Sequence, residues 1–121
     1  MKYIALIHNN PGAWRALSQA DKDEHDADAE VFIQRLAESG ELAGGPVVLA
    51  HPAHARTIRV RDGARLVTDG PFAEGKEQVA GYYILECDSP ERAAEIVAGD
   101  PSARYFAVEV RPIMHFEGED L

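Results

Sequence analysis

With a single cysteine, Cys87, the chain cannot draw stability from an intramolecular disulfide. Basic residues are also scarce, 12 Lys and Arg against 21 Asp and Glu, for a net charge of -9. A surface of that sign repels phosphate backbones and anionic lipid, so direct nucleic-acid or membrane binding is not expected. Long apolar runs are missing as well. The longest stretch free of Asp, Glu, Lys and Arg, residues 42–55, contains prolines, histidines and glycines and is too short to cross a bilayer. Met1-Lys2-Tyr3-Ile4 has neither the basic stretch nor the apolar core of an export signal, which makes the cytoplasm the expected location. No glycine-rich phosphate loop, compact His and Cys ligand spacing, hydrolase triad or internal repeat is legible, so neither a cofactor nor a metal is expected.

What remains is an ordinary globular composition, 45% hydrophobic and 27% charged over 121 residues, which supports one core and one domain. Residues 2–7, Lys-Tyr-Ile-Ala-Leu-Ile, are apolar almost throughout and read as a strand buried on both faces. Asn9-Asn10-Pro11-Gly12 stops it. Ser18 with Asp21 three positions on is a helix start, and Gly40 a helix end. Between them Ala29, Phe32, Ile33 and Leu36 form one apolar stripe, while Asp21, Asp23, Glu24, Asp26, Asp28 and Glu30 crowd the first half.

Val47-Val48-Leu49 reads as a short strand that Pro46 places at a sheet edge. Residues 57–61 and 65–68 flank Asp62-Gly63 as a hairpin. A three-residue loop that includes Ala64 is expected there, because it sets Val60 opposite Leu66. Residues 81–87 form a second strand apolar on both faces. Ser89-Pro90-Glu91 opens a helix with Ala93, Ile96 and Val97 inward, and Gly99-Asp100-Pro101 closes it. Residues 105–113 alternate as a last strand.

The order predicts an α+β fold, a ferredoxin-like βαββαβ unit with an inserted β-hairpin. Two helices cover one face of such a sheet, yet two strands are apolar on both. A second copy packed sheet against sheet, a homodimer, is the economical cover.

Asp69-Gly70-Pro71-Phe72, followed by Glu74, Lys76, Glu77 and Gly81-Tyr82-Tyr83, resembles the signature of the DGPF branch of the YCII-related family. Gly44-Gly45-Pro46 and residues 108–113 extend the resemblance over nearly the whole chain. It implies a dimeric α+β barrel, with no settled activity. The histidine and aspartate pair proposed for other members is not carried over. The family position falls near Asp28 or Ala29, with His25 about one turn away. Relatives of this branch often accompany sigma factors, so the resemblance implies a sigma factor as a possible separate partner.

The densest polar segment near the expected sheet runs from Asp69 to Gln78. There Lys76 is a candidate to hold a small substrate, and Asp69 or Glu77 to move a proton beside Tyr82. Salt bridges that fix the loop are the competing reading. His8, Glu86 and Arg111 are candidate ligand contacts at strand positions facing the same cavity. Glu86 and Arg111 would otherwise form an ion pair. His25, with Asp21 and Asp28 on its helix face, invites a metal, but a solvated acidic face is the expectation. Cys87 reads as a core residue, and Arg56, Arg59, Arg61 and Arg65 as charges guarding the hairpin edge. Two functions stand level: an enzyme doing acid/base chemistry on a small organic molecule, and a non-catalytic binding module linked to sigma-factor regulation. A purely structural dimer is the third.

Overall fold

A computed structural model of the chain describes residues 1–73 and 75–114. Its elements run β1 Lys2–Asn9, α1 Pro11–Ala16, α2 Gln19–Glu38, β2 Leu42–Val48, β3 Arg56–Arg61, β4 Ala64–Asp69, β5 Gln78–Glu86, α3 Pro90–Ala98, α4 Pro101–Tyr105 and β6 Ala107–Pro112. Four strands form one antiparallel sheet in the order β2-β5-β1-β6, and β3 and β4 form a separate two-stranded arm. Leaving out the arm, the order is that of the split βαβ, ferredoxin-like motif. The two strands read as apolar on both faces are the central pair, and β2 is an edge, as Pro46 required.

Local chemistry explains the helix boundaries. The Asp21 N–H donates to Ser18 Oγ at 3.1 Å to start α2, and Gly40 at φ +80 lets the chain leave it. Ser89 caps α3 in the same way, accepting from the Arg92 N–H at 3.0 Å, with Pro90 at the first helical position. Two short helices were not foreseen. Asn10 caps α1 and Asp100 caps α4, each followed by a proline at the first helical position. A segment read as a stop is therefore also a start.

The core lies between the helices and one face of the sheet. Tyr3, Ala5, Tyr83 and Leu85 from the central strands meet Leu36 of α2 and Ala93, Ile96 and Val97 of α3, with Cys87 beside them. Each large apolar side chain buried this way stabilises the fold by roughly 1.5–3 kcal/mol. On α2 only Leu36 is fully buried. Phe32 and Ile33 are partly so, and both border a cavity between α2 and the sheet. On the outer side, Arg92 of α3 donates to both carboxylate oxygens of Glu41 at 3.0 and 2.8 Å. These hydrogen bonds from Arg92 hold the Glu41 carboxyl below its ordinary range.

The opposite face carries Ile4, Leu6, Tyr82 and Ile84 side by side, and all four are half-buried. No helix among the described residues lies on it. The arm corrects the sequence expectation of register. Val60 pairs with Arg65 and Arg59 with Leu66, across a two-residue turn. Asp62 and Gly63 both have positive φ, +51 and +74, the primed turn whose twist suits a hairpin. Matching apolar partners across the ladder has no such weight here, since Ile58, Val60, Leu66 and Val67 are all exposed on an arm that joins no core. No helix among the described residues is long and apolar enough to cross a membrane.

Candidate functional site

The residues singled out from the sequence fall in two places. Tyr82, His8, Glu86 and Arg111 share the uncovered face of the sheet. His8 Nε2 lies 3.0 Å from Glu109 Oε1 across the β1–β6 ladder. Glu86 does not meet Arg111, because β1 lies between their strands. Its partner is the amino terminus at 3.5 Å, a correction to the expected ion pair. Asp69, Lys76 and Glu77 stand apart, exposed at the end of β4 and in the loop before β5. Asp69 approaches Arg56 at 3.9 Å while remaining 94% exposed. Glu74 lies outside the described residues.

The better-built polar cluster lies on the helix side. Where α2 lifts away from the sheet, a cavity of 570 Å³ opens, within the usual range for small-molecule sites. Its apolar wall is Ile7, Ala29, Phe32, Ile33 and Val47. Gly81 at its floor has no room for a side chain, since a Cβ there would collide with the Val47 carbonyl oxygen. A glycine is thus what lets β2 and β5 approach.

His25 reaches into this cavity from α2, its side chain only 13% exposed. The expectation of a solvated helix face therefore fails for this residue. Its ring stands edge to Trp14 of α1 at 4.9 Å between centroids, with Tyr105 at 5.7 Å. Nδ1 lies 3.2 Å from Asp26 Oδ1 and Nε2 3.3 Å from Ser102 Oγ.

Beneath it Asp100, buried, accepts from Tyr83 Oη at 2.8 Å and from the Ser102 N–H at 2.8 Å. Burial first, and then the Asp100 carboxylate, push the Tyr83 phenol far above its ordinary value. Tyr83 therefore stays a proton donor that pins Asp100, and Asp100 pins the turn that presents Ser102. A carboxylate on one imidazole nitrogen and a hydroxyl on the other equip His25 to take up and release a proton.

Sequence reasoning missed this cluster because Ser102 lies 77 positions from His25. The one signal available was Asp100-Pro101, read within Gly99-Asp100-Pro101 only as a helix stop.

A family model for the YCII-related domain matches residues 1–117. The chain belongs to the YCII-related domain family. An uncharacterized protein of Rhizobium meliloti (strain 1021) is 32% identical over 126 residues, an alignment covering 100% of this chain and 98% of that one. Among solved structures, the 5-chloro-2-hydroxyhydroquinone dehydrochlorinase of Burkholderia phenoliruptrix AC1100, in complex with 2,5-dihydroxybenzoquinone, superimposes with a TM-score of 0.54. That match covers 99% of this chain and 100% of the other at 17% identity, a likeness of fold. The YCII-related domain thus accounts for the α+β architecture and leaves the chemistry to be argued from the cavity.

Proposed function

We propose that this protein is an enzyme that moves a proton on a small organic molecule held in the cavity between α1, α2 and the β2–β5 side of the sheet. The observation that carries this reading is the His25 imidazole, set in a ligand-sized cavity between Asp26 and Ser102. The Asp26 carboxylate favours a proton on Nδ1, which leaves the Nε2 lone pair on the side of Ser102 and the cavity. From there Nε2 takes a proton from the substrate. The imidazolium so formed, balanced by Asp26, returns it to another atom of the same molecule or to a departing group. Isomerisation and elimination are the reaction classes that fit. A dehydrochlorinase on the same fold is an analogy of fold, not of site.

The working assembly is a two-fold dimer closed sheet to sheet, a dimeric α+β barrel of the DGPF branch. Its support is the apolar face of Ile4, Leu6, Tyr82 and Ile84, which no helix among the described residues covers. Tyr82, His8, Glu86 and Arg111 then line the space between the sheets. Asp69, Lys76 and Glu77, at the surface of one protomer, enter the reaction only through contact with the second.

Deuterium uptake tests the proton transfer directly. With cyclic hydroxyketones and hydroxyquinones in deuterium oxide, the wild type is expected to place deuterium on carbon, read by NMR. His25→Gln is expected to slow that exchange by at least about a hundredfold, the usual worth of a general base. Exchange that survives in His25→Gln sinks the assignment, and exchange lost instead in Lys76→Ala moves the site to the loop before β5. A panel on which the wild type exchanges nothing removes the enzyme reading for these compounds and favours a binding module.

A further inference from the structure

A second cavity, of 370 Å³, lies beside the one that holds His25, and Trp14, Leu49 and Ala80 line both. The two differ in the sign of their charge. Asp26, Glu30 and Asp100 border the His25 cavity, where no lysine or arginine is found among the described residues. Arg15 of α1, Lys22 of α2 and His51 after β2 border its neighbour, and among the described residues no carboxylate does. In a chain where Asp and Glu outnumber Lys and Arg by 21 to 12, this wall runs against the prevailing charge.

Among the described residues neither cation is in an ion pair, since the side chains of Lys and Arg that are paired are Arg56, Arg92 and Arg104. Lys22 Nζ lies 3.4 Å from the Arg15 carbonyl oxygen, which holds the amine at the end of α1 and leaves its charge in place. Arg15 is exposed and Lys22 half-buried. His51 Nδ1 accepts from the Ala53 N–H at 3.0 Å, so the ring presents Nε2 as a donor. A concave wall of one sign concentrates its field in the space it encloses, and that space attracts the opposite charge.

We infer that this second cavity holds the anionic group of the substrate, a carboxylate or phosphate oxyanion, while the rest of the molecule passes Trp14 into the His25 cavity. The inference deepens the proposed function and rests on it. The substrate class is then a small, largely apolar organic acid. Arg15 and Lys22 draw in its charged end, and the carboxylates beside His25 keep that end out, so the reacting carbon rather than the anion reaches Nε2.

Benzoate, phenyl phosphate, benzamide and benzylammonium are titrated into the wild type, following by NMR the indole N–H of Trp14, the only tryptophan in the chain. At least one of the two anions is expected to bind at least about tenfold more tightly than benzamide, the worth of a hydrogen bond to a charged group. The tighter anion names the oxyanion. Added salt should weaken its binding by screening a local attraction, whereas control by the net charge of -9 would let salt relieve a repulsion and strengthen it. With Arg15→Gln and Lys22→Gln combined, the anion should fall to within about twofold of benzamide, while His25→Gln keeps the preference.

Benzamide or benzylammonium bound to the wild type at least as tightly as both anions overturns the inference, however the variants behave. So does an anion preference that survives the loss of both cations, or a Trp14 signal that none of the four compounds moves. Deuterium exchange that depends on His25, with no preference for anions, keeps the proposed function and removes this inference. An anion preference that needs Arg15 and Lys22, with no exchange from any carboxylated ring, supports the anion site and removes the reaction.

Discussion

The two faces of the main sheet are built by the same strands and carry similar apolar side chains, yet they end in different environments. On the helix side Tyr3, Ala5 and Leu85 are 0% exposed, packed under α2 and α3. One residue along each strand, Ile4, Leu6, Tyr82 and Ile84 are half-buried, with no helix of the described residues packed on them. Alternation along a strand decides which side chains share a face, and the helices decide which face becomes core. The uncovered face is apolar at its centre, with the His8–Glu109 pair and Arg111 toward β6. An apolar centre with a polar margin is what the proposed sheet-to-sheet dimer would bury.

The comparison can be broken at neighbouring residues of one strand. Leu85→Ala should cost about 3–4 kcal/mol in urea unfolding, the range for a fully buried leucine, while Ile84→Ala one position away should cost the isolated protomer well under half of that. Equal losses would mean that the two faces are equally core. Ile84→Arg should leave the protomer folded and weaken pairing by more than about a hundredfold, roughly 3 kcal/mol, seen as a shift from dimer to monomer in sedimentation velocity. A dimer that survives this change is not closed through the sheet.

Tyr83→Phe is the smaller probe on the covered side. It removes one hydrogen bond and leaves Asp100 Oδ2 buried without its donor, which should cost about 1–3 kcal/mol. It should also change the alkaline limb of stability. The Tyr83 phenol is raised above its ordinary value of 10.0, so its contribution is complete below about that pH and is lost as pH rises towards its folded-state value. The wild type should therefore lose stability above pH 10, and Tyr83→Phe should lose less. Some loss should remain, since burial also raises the Tyr3 phenol. Stability of the variant falling as steeply as that of the wild type would show that Tyr83 is not the group responsible.

Much of this architecture was legible. The Ser18 and Ser89 caps, the Gly40 stop, the apolar stripe of α2 and the two central strands are local features, each decided by a few neighbouring residues. Errors fell where local signals are short or ambiguous. Asn10-Pro11 and Asp100-Pro101 each end one element and cap the next, and helices of six and five residues are too brief for a period to show. Strand β2 begins at Leu42 rather than Val47, because two register irregularities carry it through Gly44-Gly45-Pro46. The arm register was misjudged by weighing side-chain pairing above turn geometry, on an element with no core to enforce the pairing.

The site was harder to read than the fold, for a related reason. His25 stands in an acidic helical run, and its immediate neighbours describe a solvated surface. Its ring nevertheless lies against Trp14 and beside Ser102, which α1 and α4 bring from 11 positions before it and 77 after it.

The sequence by itself determined the elements, the pair of strands apolar on both faces, the acidic surface and the caps, all consequences of local spacing and composition. Only the tertiary structure decided which face the helices cover, where α2 lifts from the sheet to leave a cavity, and which side chains meet in it. Backbone hydrogen bonding and side-chain periodicity act over a few residues. The chemistry of an imidazole is set by whatever the folded chain places within a few ångströms of it, however far away in sequence those groups lie.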